Sequence, residues 1–291
     1  MRERITETAR AKLNLALHVT GRRADGYHLL DSLVTFASHG DRLQFVPAAE
    51  DDFILEGRFA PELSTDADNL VLQARDSLRH ALTQSGQPAP PVRITLSKDL
   101  PIASGIGGGS ADAAATLRGL MRLWQVQLDD DHLAALALSL GADVPMCLVS
   151  RPAMARGIGE DLTPATALPA LSIVMLNPLI GVSTPEIFRR LTRRDHPPVP
   201  ALPQKGGDWI TFLQDLRNDL EPAARAQVPQ IGEFCDALTA HGAQLARMSG
   251  SGATCFGIFD DTHAAKRAAT ELAIVYPDAY IQPTETVAGD S

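Results

Sequence analysis

The sequence predicts an α+β protein, and three of its features lead to that fold class. Residues 10–20 alternate large apolar side chains with smaller or polar ones, which is the period of a strand. Residues 108–124 and 130–140 are instead rich in alanine and leucine and have the length of helices. Strand-like and helix-like segments follow one another along all 291 residues, a length that suits one large domain or two lobes.

The first half of the chain is predicted to alternate strands with three helices. In the first strand, Leu13 and Leu15 lie on the face expected to meet the core, and Lys12 and Asn14 lie on an opposite, polar face. A turn at 24–26 leads into the second strand. The predicted strands are 10–20, 27–36, 42–46, 53–55 and 92–96, and the predicted helices are 67–83, 108–124 and 130–140.

The second half continues the mixture around one long loop. Thr184 is the expected cap of a short helix, with Pro185 in its first turn. Residues 194–208 are rich in proline and glycine and are predicted to be a loop. The predicted strands are 172–176, 243–248, 253–259 and 279–282, and the predicted helices are 184–191, 229–241 and 262–274.

Composition excludes several classes of protein. The net charge of −9 argues against a broad surface for nucleic acid or anionic membranes, which would need clustered Lys and Arg. Three widely spaced cysteines without a CxxC pair indicate a reduced, cytoplasmic chain. Asn14 and His18 interrupt the N-terminal apolar segment, so no secretion signal is expected. The apolar stretch 165–183 contains two prolines and is interpreted as core.

The loop 103–110, "ASGIGGGS", leads into the helix predicted from residue 108 and includes its first three residues. A helix start exposes unpaired N–H groups and carries a partial positive charge, and glycines let a ligand approach the backbone. The loop therefore suits a phosphate, to which Ser104 and Ser110 can add hydroxyl groups. A flexible turn or a tightly packed helix start would have the same composition, and that alternative stays open on this segment alone.

Familiar nucleotide motifs do not match the loop. It lacks the GK[ST] ending of the P-loop, and a serine, Ser110, occupies the last glycine position of a GxGxxG pattern. No HRD and DFG motifs follow it, which excludes a protein kinase.

Taken together, seven segments resemble the GHMP kinase superfamily, and they span nearly the whole chain. The glycine motif carries the general resemblance, while the Lys-x-Asn strand followed by "GRRADGYH" is similar to the branch that phosphorylates a CDP-linked polyol. Ala111 departs from the pattern, because many members have a second serine there. The segments are "AKLNLALHVTGRRADGYHLL" (11–30), "DNL" (68–70), "PIASGIGGGSADAA" (101–114), "LGADVP" (140–145), "GIGEDLTP" (157–164), "NDLE" (218–221) and "RMSGSGATCF" (247–256).

The resemblance implies a two-lobed fold with the active site in the inter-lobe cleft. An ATP-binding and catalytic lobe is expected over 1–157 and a C-terminal lobe over 158–291. Asp143 is implied to be the base that accepts the proton of the substrate hydroxyl, and Lys12 the cation that keeps this carboxylate ionised. From the residues alone, Asp143 is more often a helix cap than a catalytic group, and Lys12 could extend its ammonium to solvent.

The resemblance also implies ATP and Mg²⁺ as cofactors, with Ser110 as a metal ligand. Asn69 is either an adenine contact or the cap of its helix, and Lys98 is either close to the nucleotide or solvated. The second glycine turn, 249–252, is implied to close over the active site, or is a structural turn. The implied nucleotide-binding residues are Pro101, Ala103, Ser104, Gly105, Ile106, Gly107, Gly108, Gly109, Ser110, Ala111, Asn69 and Lys98.

The implied substrate is CDP-linked methylerythritol, phosphorylated on its tertiary 2-hydroxyl in non-mevalonate isoprenoid precursor synthesis. Tyr27, His28 and Phe188 are implied to hold the cytosine by stacking and pairing, and Asn14 and Thr184 to make polar contacts. Each aromatic residue taken singly is more often a core residue. Two alternatives remain: a GHMP kinase for another small alcohol such as mevalonate, homoserine or galactose, and a non-catalytic nucleotide-binding module. No nucleic-acid or membrane partner is expected.

Overall fold

The computed structural model describes residues 4–66 and 68–290, and these residues form ten strands, nine α-helices and a short 3₁₀ helix at Ala60–Glu62. Residue 67, with which the first helix is predicted to begin, lies outside the described residues. The strands are β1 Ile5–Arg22, β2 His28–Pro47, β3 Asp52–Glu56, β4 Val92–Ser97, β5 Ala153–Gly157, β6 Asp161–Pro164, β7 Ser172–Asn177, β8 Leu245–Met248, β9 Cys255–Phe259 and β10 Tyr280–Glu285. The helices are α1 Leu70–Gln84, α2 Gly108–Trp124, α3 Asp130–Leu140, α4 Val144–Val149, α5 Thr184–Arg189, α6 Trp209–Gln214, α7 Glu221–Gln227, α8 Gln230–Ala240 and α9 Thr262–Val275.

The chain divides into two compact units that are not contiguous in sequence. The first unit contains the chain up to Ala11, His39–Ile102 and Gly107–Val149. The second unit contains Lys12–Ser38, Ala103–Ile106 and the chain from Ser150 onward. The two long strands β1 and β2 and the glycine loop each contribute to both units.

The first unit combines a small sheet with the helices α1 to α4. The C-terminal half of β2 pairs antiparallel with β4, and β4 pairs parallel with β3. Helix α2 packs against α1 and α4. A side chain at Gly119 of α2 would overlap the ring of Phe45 on β2, so glycine at this position lets the helix lie close to the strand.

The second unit contains the rest of the first sheet and a separate four-stranded sheet. The N-terminal half of β2 pairs antiparallel with β5, which pairs with β6. The separate sheet has the order β10-β7-β9-β8, and all of its pairs are antiparallel. Helices α8 and α9 pack on it and enclose a core that includes Leu176, Ile231, Leu238 and Leu272.

The prediction that β1 has one polar face opposite the core is wrong, because both faces of this strand are buried. Every residue from 11 to 19 is buried. Lys12, Asn14 and His18 are only 6%, 5% and 1% exposed. Buried polar groups need partners, and Asn14 and His18 have them in Ser32 and the carbonyl of Pro197.

Most predicted elements are confirmed, and the exceptions have local causes. The two strands predicted at 27–36 and 42–46 form one strand, β2, because Gly40 does not make a turn. A Cβ atom there would overlap the backbone of Ala9, so this glycine serves a close approach of two strands. Thr184 is the first residue of α5 instead of its cap, a position that Ser183 holds. The elements that were not predicted are the 3₁₀ helix, α4, α6, α7, β5 and β6, all three to seven residues long.

No helix in the described part of the chain is long and apolar enough to cross a membrane. This agrees with interpreting the apolar stretch 165–183 as core: it contains β7, whose residues Ile173 to Asn177 are all buried.

Candidate active site

The start of helix α2 is an uncapped helix N-terminus, built by the glycine loop. Gly107 occupies the N-cap position with φ +66°, a left-handed conformation that favours glycine. No side chain caps this end, and the first intrahelical bond is donated by the N–H of Ala111 to the carbonyl of Gly107. The N–H groups of the first turn therefore point away from the helix body, where an anionic group would complete them.

Directly beside this helix start lies a buried cluster of one cation and two carboxylates. The Nζ atom of Lys98 donates to Oδ2 of Asp41 at 2.5 Å and to Oδ2 of Asp112 at 2.6 Å. All three side chains are at most 4% exposed. An ideal Cβ atom on Gly108 would be 3.2 Å from Lys98 Nζ, which places the ammonium against the first turn of α2. The solvated alternative for Lys98 is therefore wrong.

The electrostatics of this cluster favour an ammonium and a protonated acid. Burial lowers the pKa of Lys98, but the attraction of Asp112 and Asp41 outweighs it, so the pKa is raised above its ordinary value. Burial also raises the pKa of Asp112, and the neighbouring Asp41 adds to this, while Lys98 opposes it; the result is about 8. The pKa of His39, which lies near Asp41 and Asp99, is lowered by burial.

Two other residues predicted to belong to the site, Asn69 and Asp143, lie in the first unit at the starts of helices. Asn69 caps α1: its Oδ1 accepts from the N–H of Val71, and its Nδ2 donates to the carbonyl of Ser64. Asn69 is therefore the cap of its helix, which is one of the two predicted alternatives. A contact between Asn69 and adenine stays a prediction. Asp143 is half-buried and directly precedes α4, whose Cys147 N–H donates to the Asp143 carbonyl.

In the second unit, Lys12 and Asn14 form a buried polar cluster on β1. Lys12 Nζ donates to Asn14 Oδ1 at 2.9 Å, and Asn14 Nδ2 donates to the hydroxyl of Ser32 at 2.8 Å. The N–H of Asn14 donates to the hydroxyl of Ser249, which in turn donates to the carbonyl of Gly105. At 6% exposure Lys12 does not extend to solvent, so that alternative is wrong.

The second glycine turn, 249–252, packs backbone to backbone on the first part of the glycine loop. A Cβ atom on Gly105, where φ is +76°, would be 2.5 Å from the carbonyl oxygen of Ser249. A Cβ atom on Gly250, where φ is +56°, would be 2.7 Å from the carbonyl oxygen of Gly105. The N–H of Thr254 donates to the carbonyl of Ser104. Both glycines are needed for this approach, so the turn supports the loop.

Two of the three residues predicted to hold the cytosine ring lie together. The rings of His28 and Phe188 stack with centroids 4.9 Å apart and an angle of 23°. Tyr27, in contrast, is 61% exposed. Among the large exposed apolar residues that the structure describes, it is the most exposed aromatic one. Burial, with smaller effects of Arg194 and Arg22, lowers the pKa of His28, so its ring is neutral at pH 7 and offers one donor and one acceptor. Its buried Nε2 has no hydrogen-bond partner.

Thr184 and several residues that the sequence did not flag complete the polar contacts. The hydroxyls of Thr184 and Ser251 lie 2.7 Å apart, which ties the start of α5 to the second glycine turn. The residues missed are Asp41, Asp112 and Ser32, whereas Ser249 and Ser251 belong to the second glycine turn that the sequence singled out. A carboxylate among the alanines of α2 was the one available signal, because Asp112 interrupts the otherwise small and apolar segment 111–115. Ser32 carries no local signal.

Comparison with protein families gives two matches. Residues 69–151 match the GHMP kinases N terminal domain, and residues 199–278 match the GHMP kinases C terminal domain. The first match contains α1 to α4 with the uncapped start of α2, and the second contains the second glycine turn.

Curated relatives share much of the sequence over nearly its full length. A protein of Rhizobium johnstonii named 4-diphosphocytidyl-2-C-methyl-D-erythritol kinase is 62% identical over 289 residues, which is 98% of this chain and 94% of the relative. Proteins of the same name from Agrobacterium fabrum and Mesorhizobium japonicum are 57% and 52% identical, each covering 97% of this chain and 96% of the relative.

Solved structures show the same fold. A crystal structure of 4-(cytidine 5'-diphospho)-2C-methyl-D-erythritol kinase superimposes with a TM-score of 0.80 at 34% identity, covering 97% of this chain and 100% of the other. A homoserine kinase from Cytophaga hutchinsonii superimposes with a TM-score of 0.67 at 19% identity, covering 99% and 98%, which supports the fold alone. By these matches the chain belongs to the GHMP kinase family and, within it, to the 4-diphosphocytidyl-2-C-methyl-D-erythritol kinases.

Proposed function

We propose that this protein transfers the γ-phosphate of ATP to the 2-hydroxyl of 4-diphosphocytidyl-2-C-methyl-D-erythritol. The observation that carries the proposal is the 62% identity, over 98% of the chain, to a relative that bears the name of this kinase. The name implies a place in isoprenoid precursor synthesis. An ATP-using kinase also explains why an uncapped helix start follows a glycine loop.

For the nucleotide, the proposed cradle is the first turn of α2. Gly107 to Gly109 bring backbone N–H groups to the phosphates without an intervening Cβ, and Ser110 adds a hydroxyl. Mg²⁺ would neutralise the charge on the transferring phosphate and typically takes few protein ligands, since the nucleotide and water supply the others. Ser110 fits this role because its half-buried hydroxyl belongs to the first turn of the helix.

For the acceptor, the proposed roles follow the chemistry of each side chain. Asp143 accepts the proton of the attacking hydroxyl, and the ammonium of Lys12, held by Asn14, stabilises the negative charge that develops on that oxygen. Stacking on Tyr27 and Phe188 holds the cytosine ring, and the neutral His28 ring pairs with its polar edge. Asn14 and Thr184 contact the remainder of the substrate.

The test is an ADP-release assay with purified protein, Mg²⁺ and a panel of alcohols. We expect turnover with the CDP-linked substrate. For mevalonate, homoserine and galactose we expect kcat/KM to be at least about 100-fold lower, since each lacks the cytosine ring that the aromatic residues hold. Turnover should stop with EDTA and return with Mg²⁺. Preference for another alcohol would overturn the substrate, and nucleotide binding without transfer to any alcohol would favour the non-catalytic alternative.

Two variants test the assigned chemistry in the same assay. Lys12→Met keeps an unbranched apolar chain and Asp143→Asn keeps the shape of the carboxylate, while each removes one charge. We expect kcat to fall by about 10²- to 10⁴-fold in each, because removal of an acid–base or charge-stabilising group has effects of this size. Thermal unfolding controls for the fold. Rates near those of the wild type in either variant would contradict the assigned role.

A further inference from the structure

The motif "NDLE" belongs to the family resemblance but supplies none of the residues proposed to bind or react. It lies in residues 217–221, which we name the clamp segment. The side chain of Asn218 is buried, and its Nδ2 donates to the carbonyls of Met248 and Gly250, both at 2.8 Å. Its Oδ1 accepts from the N–H of Leu220 at 3.0 Å. The amide thus uses both of its N–H groups and its oxygen, and it holds the chain at the second glycine turn at two points.

The clamp segment is also bonded to β1. The N–H of Leu17 donates to the carbonyl of Arg217, and the N–H of Asp219 donates to the carbonyl of Leu17, both at 2.9 Å. The N–H of Val19 donates to Oδ2 of Asp219 at 2.7 Å. The segment therefore lies along β1 like a short parallel strand, and the side chain of Asn218 connects it to the second glycine turn.

Ser249 is the point at which this connection meets the residues proposed to act on the acceptor. Asn218 holds the carbonyl groups of the two residues on either side of Ser249. The buried Ser249 hydroxyl accepts from the N–H of Asn14 at 3.1 Å, and Asn14 Oδ1 accepts from Lys12 Nζ at 2.9 Å. Because a close-packed interior transmits displacements, a shift of the turn would move the support of the Lys12 ammonium.

We infer that Asn218 is a positioning residue for phosphoryl transfer, which fixes the second glycine turn and through it the ammonium of Lys12. The inference rests on the proposed function, in which this ammonium stabilises the charge on the attacking oxygen. The position needs an amide side chain. A carboxylate there would set a negative oxygen against two carbonyl oxygens, and an aliphatic side chain would leave both carbonyls without these donors.

Two variants of Asn218 test this role in the ADP-release assay. Asn218→Ala removes both donors, whereas Asn218→Asp keeps the size of the side chain and the oxygen that serves Leu220. We expect kcat to fall by about 10- to 100-fold in each, since a misplacement of about 1 Å at a catalytic group has an effect of this order. Asn218→Asp preserves the packing, so it gives the measurement even if Asn218→Ala does not fold.

A double-mutant cycle with Lys12→Met separates positioning from a general loss of stability. If Asn218 acts through Lys12, adding Asn218→Asp to Lys12→Met should lower kcat by less than about threefold, because the group to be positioned is already gone. Independent contributions would instead multiply and give a further fall of about 10- to 100-fold.

Thr286→Val is the matched control for a lost hydrogen bond in the same compact unit. Thr286 is buried, and its Oγ1 accepts from the N–H of Leu171, just before β7. Valine keeps the shape of threonine but removes this oxygen, so thermal unfolding should show a loss of stability. Its kcat should stay within about twofold of the wild type, since this hydrogen bond lies in a different part of the unit.

Hydrogen exchange reports on the connection without turnover. The N–H of Asn14 is held by Ser249, so both Asn218 variants should speed its exchange by about tenfold or more, while Thr286→Val should not. The inference is overturned if this exchange is unchanged, if kcat of both Asn218 variants stays near the wild type, or if their effect multiplies with that of Lys12→Met. A wild type that transfers no phosphate would overturn the proposed function, and the role in transfer with it, even where exchange confirms the connection.

Discussion

At the scale of single residues, the two buried lysines show what sequence can and cannot predict. The sequence flags both Lys12 and Lys98, but it leaves open whether either extends to solvent. Their burial depends on partners far along the chain: Asp41 is 57 positions from Lys98. The partners of Lys12 are closer in sequence, but Asn14 is itself held by Ser249, 235 positions away. Such pairing follows from the fold, and no local pattern announces it.

Substitution of the exposed Tyr27 tests the proposed substrate site with little effect on the stability of the fold. Because 61% of this residue is exposed, Tyr27→Ala should leave the fold unchanged and remove one stacking face. We expect KM for the CDP-linked substrate to rise by about 2- to 13-fold, the equivalent of about 0.5–1.5 kcal/mol for an aromatic contact, with KM for ATP constant. Tyr27→Phe is the control and should behave like the wild type. Equal increases in both KM values would argue against stacking on the base.

At the scale of elements, long and capped helices were predicted well and short elements were not. Helices α2 and α3 begin and end at the predicted residues, because a glycine loop opens one and Asp129 caps the other. Helices α4, α6 and α7 have six or seven residues each, too few for a period to emerge. Of the candidate site, the glycine loop was predictable from its composition, whereas the place of the second glycine turn beside it was implied only by the family resemblance.

That packing of two glycine turns predicts different costs for two similar substitutions. Gly105 and Gly206 have nearly equal φ values of +76° and +81°, so replacement by alanine strains both backbones by about 1–2 kcal/mol. At Gly206 nothing lies within 4 Å of the new Cβ, whereas at Gly105 it would meet the backbone of Ser249 and Gly252. Gly105→Ala should therefore lower the free energy of unfolding by more than Gly206→Ala does, and should also raise KM for ATP.

Urea unfolding of the two variants measures this difference, and Gly206→Ala is the matched control for backbone strain. Only the Gly105 variant should lose activity, because Gly105 belongs to the loop that leads into α2. If both variants lost the same stability and kept the same KM for ATP, the close approach of the two turns would not matter for the loop.

At the scale of the whole molecule, the α+β class and the family were predictable, but the division of the chain was not. Each compact unit is built from separated segments, and β1, β2 and the glycine loop contribute to both. A boundary near residue 157 follows from composition and resemblance and stays a prediction. Composition changes along a chain are local, whereas a unit assembled from three segments is defined by contacts distant in sequence.

The raised pKa of Asp112 makes the stability of the molecule depend on pH in a definite direction. The unfolded chain releases this proton near the ordinary aspartate value of about 4, whereas the folded protein keeps it to about 8. Between these values the folded state binds one more proton than the unfolded state. The free energy of unfolding that this group contributes is therefore greatest at low pH and is lost as the pH rises to about 8, by at most about 1.4 kcal/mol per pH unit.

Asp112→Asn should remove this dependence, since the amide does not titrate. We expect the free energy of unfolding of the variant, minus that of the wild type, to increase steadily from pH 6 to pH 8 and to level off above it, as measured by urea unfolding at each pH. Asp51→Asn is the control in the same unit: hydrogen bonds from Arg79 lower the pKa of Asp51, so its difference should stay constant over this range. A constant difference for Asp112→Asn as well would mean that Asp112 is ionised in the folded protein, and that Lys98 neutralises it despite the nearby Asp41.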